Sequence, residues 1–205
     1  MTDPAEQARL ERIRTHSATL EELRERINLT VLLRDRSPEA RERWSTACAE
    51  FHRRYPELHF PGGSDEIKLA KQGTPEGIVT AIDFLVADPM HFRSGYVKEE
   101  LWRWSKRWAL LPSDVLRLQR AALVTLTRPM SREFRTLCAA MAKHGTSAFW
   151  REVETLAGVN DPHYAKRASL LLEFRVNAGH GGLKLRAFMR ESFDRKWREK
   201  QRERA

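Results

Sequence analysis

Apolar residues recur along this chain at spacings of three and four positions. No segment alternates apolar and polar residues as a half-buried β-strand would, so the pattern predicts helices almost throughout. Several helix starts are marked by an N-cap residue that stands directly before a proline, as in Ser37-Pro38, Thr74-Pro75 and Asp161-Pro162. The predicted fold class is therefore all-α.

The caps and the periodicity together predict where the helices lie. One helix is expected before His16, and the capping box formed by Thr19 and Glu22 predicts that a second begins at about residue 20 and runs to 33. Pro61-Gly62-Gly63 predicts a loop over residues 56–64. The remaining helices are expected at residues 38–54, 75–87, 95–109, 113–127, 132–144, 148–157 and 162–177.

These breaks divide what we expect to be one structural domain into four segments. They are an N-terminal helical segment (1–55), a loop with a short helix (56–74), a core of stacked helical pairs (75–178) and a hinge with a basic C-terminal helix (179–205).

Helix-start signals in the core segment fall at positions 75, 94, 112, 131, 147 and 161. Two such helices make a unit of roughly 31 to 37 residues, close to the size of stacked helical repeats. From about Thr74 to Asn177 this spacing resembles HEAT and armadillo repeats, although no family-specific motif accompanies it. The resemblance implies a short α-solenoid-like array, and an irregular helical bundle remains the alternative because it would give a similar pattern.

The composition describes an ordinary globular chain with a positive charge excess. With 205 residues and 41% hydrophobic residues, a core can form without disulfides or metal, so Cys48 and Cys138 are expected to be free core thiols. The polar N-terminus does not resemble a secretory signal, and no run approaches the roughly 18 apolar residues of a membrane span, so a cytoplasmic location without membrane association is expected.

The formal net charge of +9 is concentrated in two segments. Residues 93–145 carry 11 Lys and Arg against 4 Asp and Glu, and residues 182–205 carry 9 against 4. By contrast, residues 1–54 are nearly balanced, with 11 against 10. A charge run is usually only a solvated face, but a local excess of this size suggests a surface for an anionic partner such as nucleic acid or an acidic protein.

The most specific local feature is Trp102, which lies four residues from both Lys98 and Lys106 and beside Arg103. An exposed aromatic ring among cations could stack on a nucleobase, whereas a helix with two buried sides would place the same ring in the core. The next helices extend the positive charge through Arg128 and Lys143. The predicted anion-binding residues are Lys98, Trp102, Arg103, Lys106, Arg117, Arg120, Arg132 and Arg135.

The C-terminal helix has an apolar stripe at a spacing of four: Leu185, Met189, Phe193 and Trp197. This stripe predicts a partner interface or a dimer seam if it is not covered by the rest of the chain. It supports an alternative function, a protein-interaction module such as a regulatory adaptor or an inhibitor. The leading hypothesis is a non-catalytic protein that binds nucleic acid mainly through phosphate contacts.

The motifs of catalysis and metal binding are absent from the sequence. There is no His-Glu-x-x-His, Cys-x-x-Cys or Gly-x-Ser-x-Gly, and His180-Gly181-Gly182 is better explained as a hinge. Asp88 precedes Pro89 and is expected to be a turn residue. We therefore expect no catalytic residue, no metal and no cofactor, and an enzyme on a helical scaffold ranks third among the hypotheses.

Overall fold

The computed structural model of the protein describes residues 3–176, which form helices joined by turns without any β-strand. The all-α prediction is confirmed for these residues. The helices are α1 (Pro4–Val31), α2 (Pro38–Leu58), α3 (Gly63–Gln72), α4 (Pro75–Ala87), α5 (Ser94–Ser105), α6 (Pro112–Leu126), α7 (Phe134–His144), α8 (Ser147–Ala157) and α9 (Pro162–Val176). They pack against one another in a way compatible with a helical bundle or a helical repeat.

The chain divides into two compact units, Met1–Trp104 and Ser105–Ala205, called unit 1 and unit 2 below. The boundary falls at the end of α5, inside the segment 75–178 that the spacing predicted to be one stacked core. Every helix among residues 3–176 is too short or too polar to cross a lipid bilayer.

The first predicted helix boundary is wrong, because α1 is continuous from Pro4 to Val31. Thr19 does not cap a helix: its Oγ1 donates to the Thr15 carbonyl at 3.1 Å, a bond made inside a helix. The buried stripe of α1 continues on both sides of this position, with Ile13 before it and Leu20 and Leu23 after it. Tertiary burial of this stripe therefore outweighs the local capping signal.

The second helix is also longer than predicted. It continues through Pro56 to Leu58, and α3 begins at Gly63, within the predicted loop. Pro56 lies in the last turn of α2, where the missing backbone donor removes one hydrogen bond at the end of the helix. Burial of Leu58, two residues further on, favours the continuation of the helix past this proline. The connection between the two helices is thus only four residues long, with Gly62 in the left-handed region at φ 72°.

In unit 1, α1 packs against α2 and α4, and α4 packs against α3. The α3–α4 contact depends on Gly77, since a Cβ at this position would lie 2.4 Å from the Ala70 nitrogen and 2.4 Å from the Leu69 carbonyl carbon. Thr74 starts α4 as predicted, because its Oγ1 accepts from the Gly77 N–H at 3.2 Å. The two backbones can approach this closely only because residue 77 has no side chain.

In unit 2, α9 contacts α6, α7 and α8. Arg167 of α9 is buried and its Nε donates to the Leu126 carbonyl at 2.6 Å, which satisfies an acceptor at the C-terminal end of α6. Cys138 of α7 is fully buried, as expected of a core thiol, whereas Cys48 in unit 1 is only half-buried; both are free.

Candidate anion-binding surface

Lys98 is buried in unit 1 and is not a surface cation. Its Nζ donates to Asp88 Oδ1 at 2.6 Å, and the two side chains are 4% and 2% exposed. Asp88 ends α4 in the left-handed region, at φ 50° and ψ 58°, which agrees with the turn predicted before Pro89. The predicted contact of Lys98 with an external anion is wrong, because this ammonium group is already neutralised inside the unit.

Trp102 is also buried, with 1% of its surface exposed, so the core interpretation describes it and base stacking does not. On the same helix, Leu101 and Trp104 are buried as well, so α5 buries more than one side. Arg103 is exposed, but its guanidinium contacts the carboxylates of Glu99, at 3.0 Å, and Glu100. Of the three predicted residues in unit 1, only Arg103 reaches solvent, and its charge is balanced locally.

The other five predicted residues belong to unit 2 and remain accessible. Arg120 and Arg132 are exposed, whereas Lys106, Arg117 and Arg135 are half-buried. Arg117 and Arg120 lie three residues apart on α6 and therefore on one side of that helix. Within unit 2, residues 105–145 contain eight Lys and Arg: Lys106, Arg107, Arg117, Arg120, Arg128, Arg132, Arg135 and Lys143.

Residues 105–145 contain only two carboxylates, one of which caps a helix and one of which is buried. Asp114 Oδ2 accepts from the Leu111 N–H at 3.0 Å, which caps the start of α6. Glu133 is 2% exposed at the start of α7. Carboxylates are therefore four times fewer than Lys and Arg in this segment, and one of the two is buried.

The solvent-facing side of α7 combines two cations with two alanines. Arg135, Ala139, Ala142 and Lys143 are half-buried or exposed, whereas the residues between them, such as Leu137 and Ala140, are buried. Arg135 makes no ion pair with any residue from 3 to 176. The small alanines leave this side of the helix open between the two cationic side chains.

A hydrogen-bonded junction holds the C-terminal end of α7. The Lys143 ammonium donates to the Lys106 carbonyl, and His144 Nε2 lies 3.0 Å from the Ser105 carbonyl. Gln119 Nε2 of α6 donates to the His144 carbonyl at 2.8 Å. Burial lowers the pKa of His144, and Lys143 lowers it further, whereas the bond to Ser105 raises it. The Lys143 ammonium is thereby held at the backbone of Lys106.

The positive excess of the described residues lies entirely in unit 2. Residues 3–104 carry 16 Lys and Arg against 18 Asp and Glu, whereas residues 105–176 carry 12 against 6. The sequence prediction drew its basic segment from residue 93 and so included unit 1 cations that pair within that unit. It omitted Arg107, which is exposed and follows Lys106 directly.

The predicted interface stripe of Leu185, Met189, Phe193 and Trp197 lies outside the described residues. The fold and this surface define an all-helical protein whose second unit is rich in basic residues. Comparison with protein-family models, with curated proteins and with solved structures found no match to the chain.

Proposed function

We propose that the protein binds nucleic acid through phosphate contacts made by the basic residues of unit 2, and that it does so without catalysis. The observation that carries this proposal is the charge of residues 105–145, eight cations against two carboxylates, of which Asp114 caps α6 and Glu133 is buried. Unit 1 supplies the comparison, since its carboxylates slightly outnumber its Lys and Arg. An unbalanced cationic surface is the feature that nucleic acid requires of a partner.

The spacing of cations on α7 suits a phosphate backbone. Arg135 and Lys143 are eight residues apart, which is about 12 Å along a helix. One strand of duplex DNA carries a phosphate about every 3.4 Å along the axis, so the two side chains would meet phosphates about three or four steps apart. The alanines between them allow the strand to approach the helix closely.

The contacts would be to phosphate and not to base edges. With Trp102 in the core, the leading aromatic candidate for base stacking is removed from the surface. The cations of unit 2 recognise charge, which is the same for every sequence. The proposed binding is therefore strongly dependent on salt and weakly dependent on sequence.

Titration of the full-length protein with fluorescent single- and double-stranded DNA and RNA, over a series of salt concentrations, tests this function. If all eight cations contact duplex phosphates, the slope of log K against log salt approaches about −7. Replacing Arg135→Gln removes one contact, so the slope should become about 0.9 less negative, with similar weakening for all sequences.

Arg43→Gln is the matched control, because Arg43 is also exposed and makes no ion pair within residues 3–176, but it lies in the balanced unit 1. It should leave the slope unchanged. Absence of binding at low salt, affinity that ignores salt, or equal effects of Arg43→Gln and Arg135→Gln would each overturn the proposal.

The alternative of a protein-interaction module stays a prediction, because its supporting stripe lies outside the described residues. An acidic protein partner would also bind in a salt-dependent manner. Failure to bind any nucleic acid at low salt would leave this alternative as the better explanation of the basic unit.

A further inference from the structure

Unit 1 contains a small cavity of about 240 Å³ between α1, α4 and the turn that precedes α3. Its polar lining consists of Arg9, Arg12, His16, Gly62, Thr80 and Asp83. Its volume lies below the roughly 300–1,000 Å³ of sites that enclose drug-sized ligands. A cavity of this size suits a single small group and not a whole nucleotide.

Two nitrogen-bearing side chains of α1 line this cavity, and a third, from α2, lies near one of them. Arg12 and His16 are four residues apart on α1, so they project from the same side of the helix. Arg54 of α2 is close enough to act on His16 electrostatically. Burial lowers the pKa of His16, and the positive charges of Arg12 and Arg54 lower it further.

These cations lack carboxylate partners among the described residues. Arg12 makes no hydrogen bond or ion pair within residues 3–176. Arg54 Nε is buried and finds no acceptor in the same part of the chain. A cluster of like charges with a buried unsatisfied donor is unfavourable unless an anion completes it.

The nearby carboxylates are already engaged. Arg9 Nε donates to Asp83 Oδ2 at 2.6 Å, and this hydrogen bond raises the pKa of Arg9. Glu66 Oε1 accepts from Thr80 at 2.9 Å. Asp83, which lines the cavity, and Glu66, which bonds to the lining residue Thr80, are therefore directed to partners other than Arg12, His16 and Arg54.

We propose that this cavity binds a small phosphate group, with Arg12 and His16 as direct donors and Arg54 as the supporting charge. Phosphate is favoured because it is a compact anion that accepts several charge-assisted hydrogen bonds at once. Gly62, which lines the cavity, is the N-cap residue of α3 and provides no side-chain cap for that helix end. The site belongs to unit 1 and does not depend on the proposed nucleic-acid surface.

Nuclear magnetic resonance of the histidine side chains in the full-length protein tests this site with inorganic phosphate as the probe. Phosphate should shift the His16 ring signals saturably and raise the pKa of His16, because a bound anion stabilises the imidazolium. The groups that already act on this ring are Arg12 on α1 and Arg54 on α2. Chloride at matched ionic strength separates binding from screening.

Arg12→Gln should weaken phosphate binding by at least about tenfold, because it removes a charge-assisted contact. Arg12 is exposed, so the variant should fold, which circular dichroism checks. Arg14→Gln is the matched control, since Arg14 is exposed on the same helix, outside the cavity lining, and pairs with Glu11 at 3.4 Å. It should bind phosphate like the unaltered protein.

A phosphate monoester, glycerol phosphate, provides a second arm of the experiment. Tighter binding of the monoester than of inorganic phosphate would assign the site to a phosphorylated metabolite, and the reverse order to free phosphate. Acetate, a small carboxylate anion, is a further comparison. Three results would each overturn the assignment: His16 shifts with chloride equal to those with phosphate, equal losses of phosphate affinity in Arg12→Gln and Arg14→Gln, or tighter binding of acetate than of phosphate.

Discussion

Asp88→Asn is the substitution that most directly tests the internal charge pair of unit 1. Asp88 Oδ1 lies 2.6 Å from Lys98 Nζ, and both side chains are almost completely buried. Asparagine has nearly the same shape as aspartate and also tolerates the left-handed conformation observed here, at φ 50°. The change therefore removes the negative charge while the backbone preference is retained.

The expected cost follows from this burial. Removing one partner of a buried ion pair costs about 3–5 kcal/mol, because the other charge is left uncompensated in a medium of low polarity. With side-chain exposures of 4% and 2%, water can offset little of this penalty. The double variant Asp88→Asn/Lys98→Met leaves no unpaired charge, and we expect it to cost only about 1 kcal/mol relative to the unaltered protein.

Urea unfolding of the full-length variants, combined with hydrogen exchange of the α4 and α5 amides, measures these free energies in unit 1. The prediction is that the double variant is more stable than Asp88→Asn by about 2–4 kcal/mol. If Asp88→Asn costs less than about 1 kcal/mol, or if the double variant is no more stable than the single one, the pair does not contribute as the geometry implies.

Three further sets of variants test the core of unit 1. Trp102→Ala should lower the free energy of unfolding by about 3–5 kcal/mol, because it removes a large buried side chain. Trp102→Phe should leave the salt dependence of nucleic-acid binding unchanged. A changed salt slope in a folded Trp102→Phe variant would contradict the burial of this residue in the core. Burial lowers the pKa of His91 to about 4, so protonation favours the unfolded chain and stability falls as pH drops from about 6.5 towards 4. The slope should be up to about 1.4 kcal/mol per pH unit in chemical denaturation, and a His91→Gln variant with the same slope would exclude this origin. Gly77→Ala should destabilise the protein by about 1–3 kcal/mol, because the new Cβ would meet the α3 backbone. Gly158→Ala is the control, since the nearest atom to its Cβ would lie 3.5 Å away, and it should not destabilise the protein. Equal melting temperatures of the two variants would refute the close approach of α3 and α4.

Helix starts were the part of the fold that sequence could predict best. Thr74 caps α4 and Ser37 caps α2, since a side-chain oxygen before a proline satisfies a backbone donor whatever the rest of the chain does. Thr19 and Glu22 carry a capping-box signal, but Thr19 lies inside α1, where it bonds to Thr15. The difference depends on the burial of residues on both sides of Thr19, which is a property of packing and cannot be derived from a four-residue motif.

The exposure of a helix side was the part that sequence could not predict. Lys98, Trp102 and Lys106 share one stripe on the helix by spacing, but spacing does not say whether that stripe meets solvent. Asp88, ten positions before Lys98, supplies the buried carboxylate with which the lysine pairs, and Trp102 is buried on the same helix. A pairing between a helix end and the middle of the next helix has no sequence signature.

Local charge balance also differs from the balance obtained by counting residues. Unit 1 has slightly more acids than bases, yet Arg12, His16 and Arg54 lie together without a carboxylate partner among residues 3–176. The count hides this cluster because the acids are used elsewhere: Asp83 binds Arg9, and Asp88 binds Lys98. In unit 2 the cation excess can be counted from the sequence, because its few acids cannot balance so many bases wherever they lie. An excess of positive charge can therefore be predicted from sequence where the bases outnumber the acids that could pair with them, as in unit 2. The small cationic cluster of unit 1 can be identified only from the structure, which shows the partner of each carboxylate.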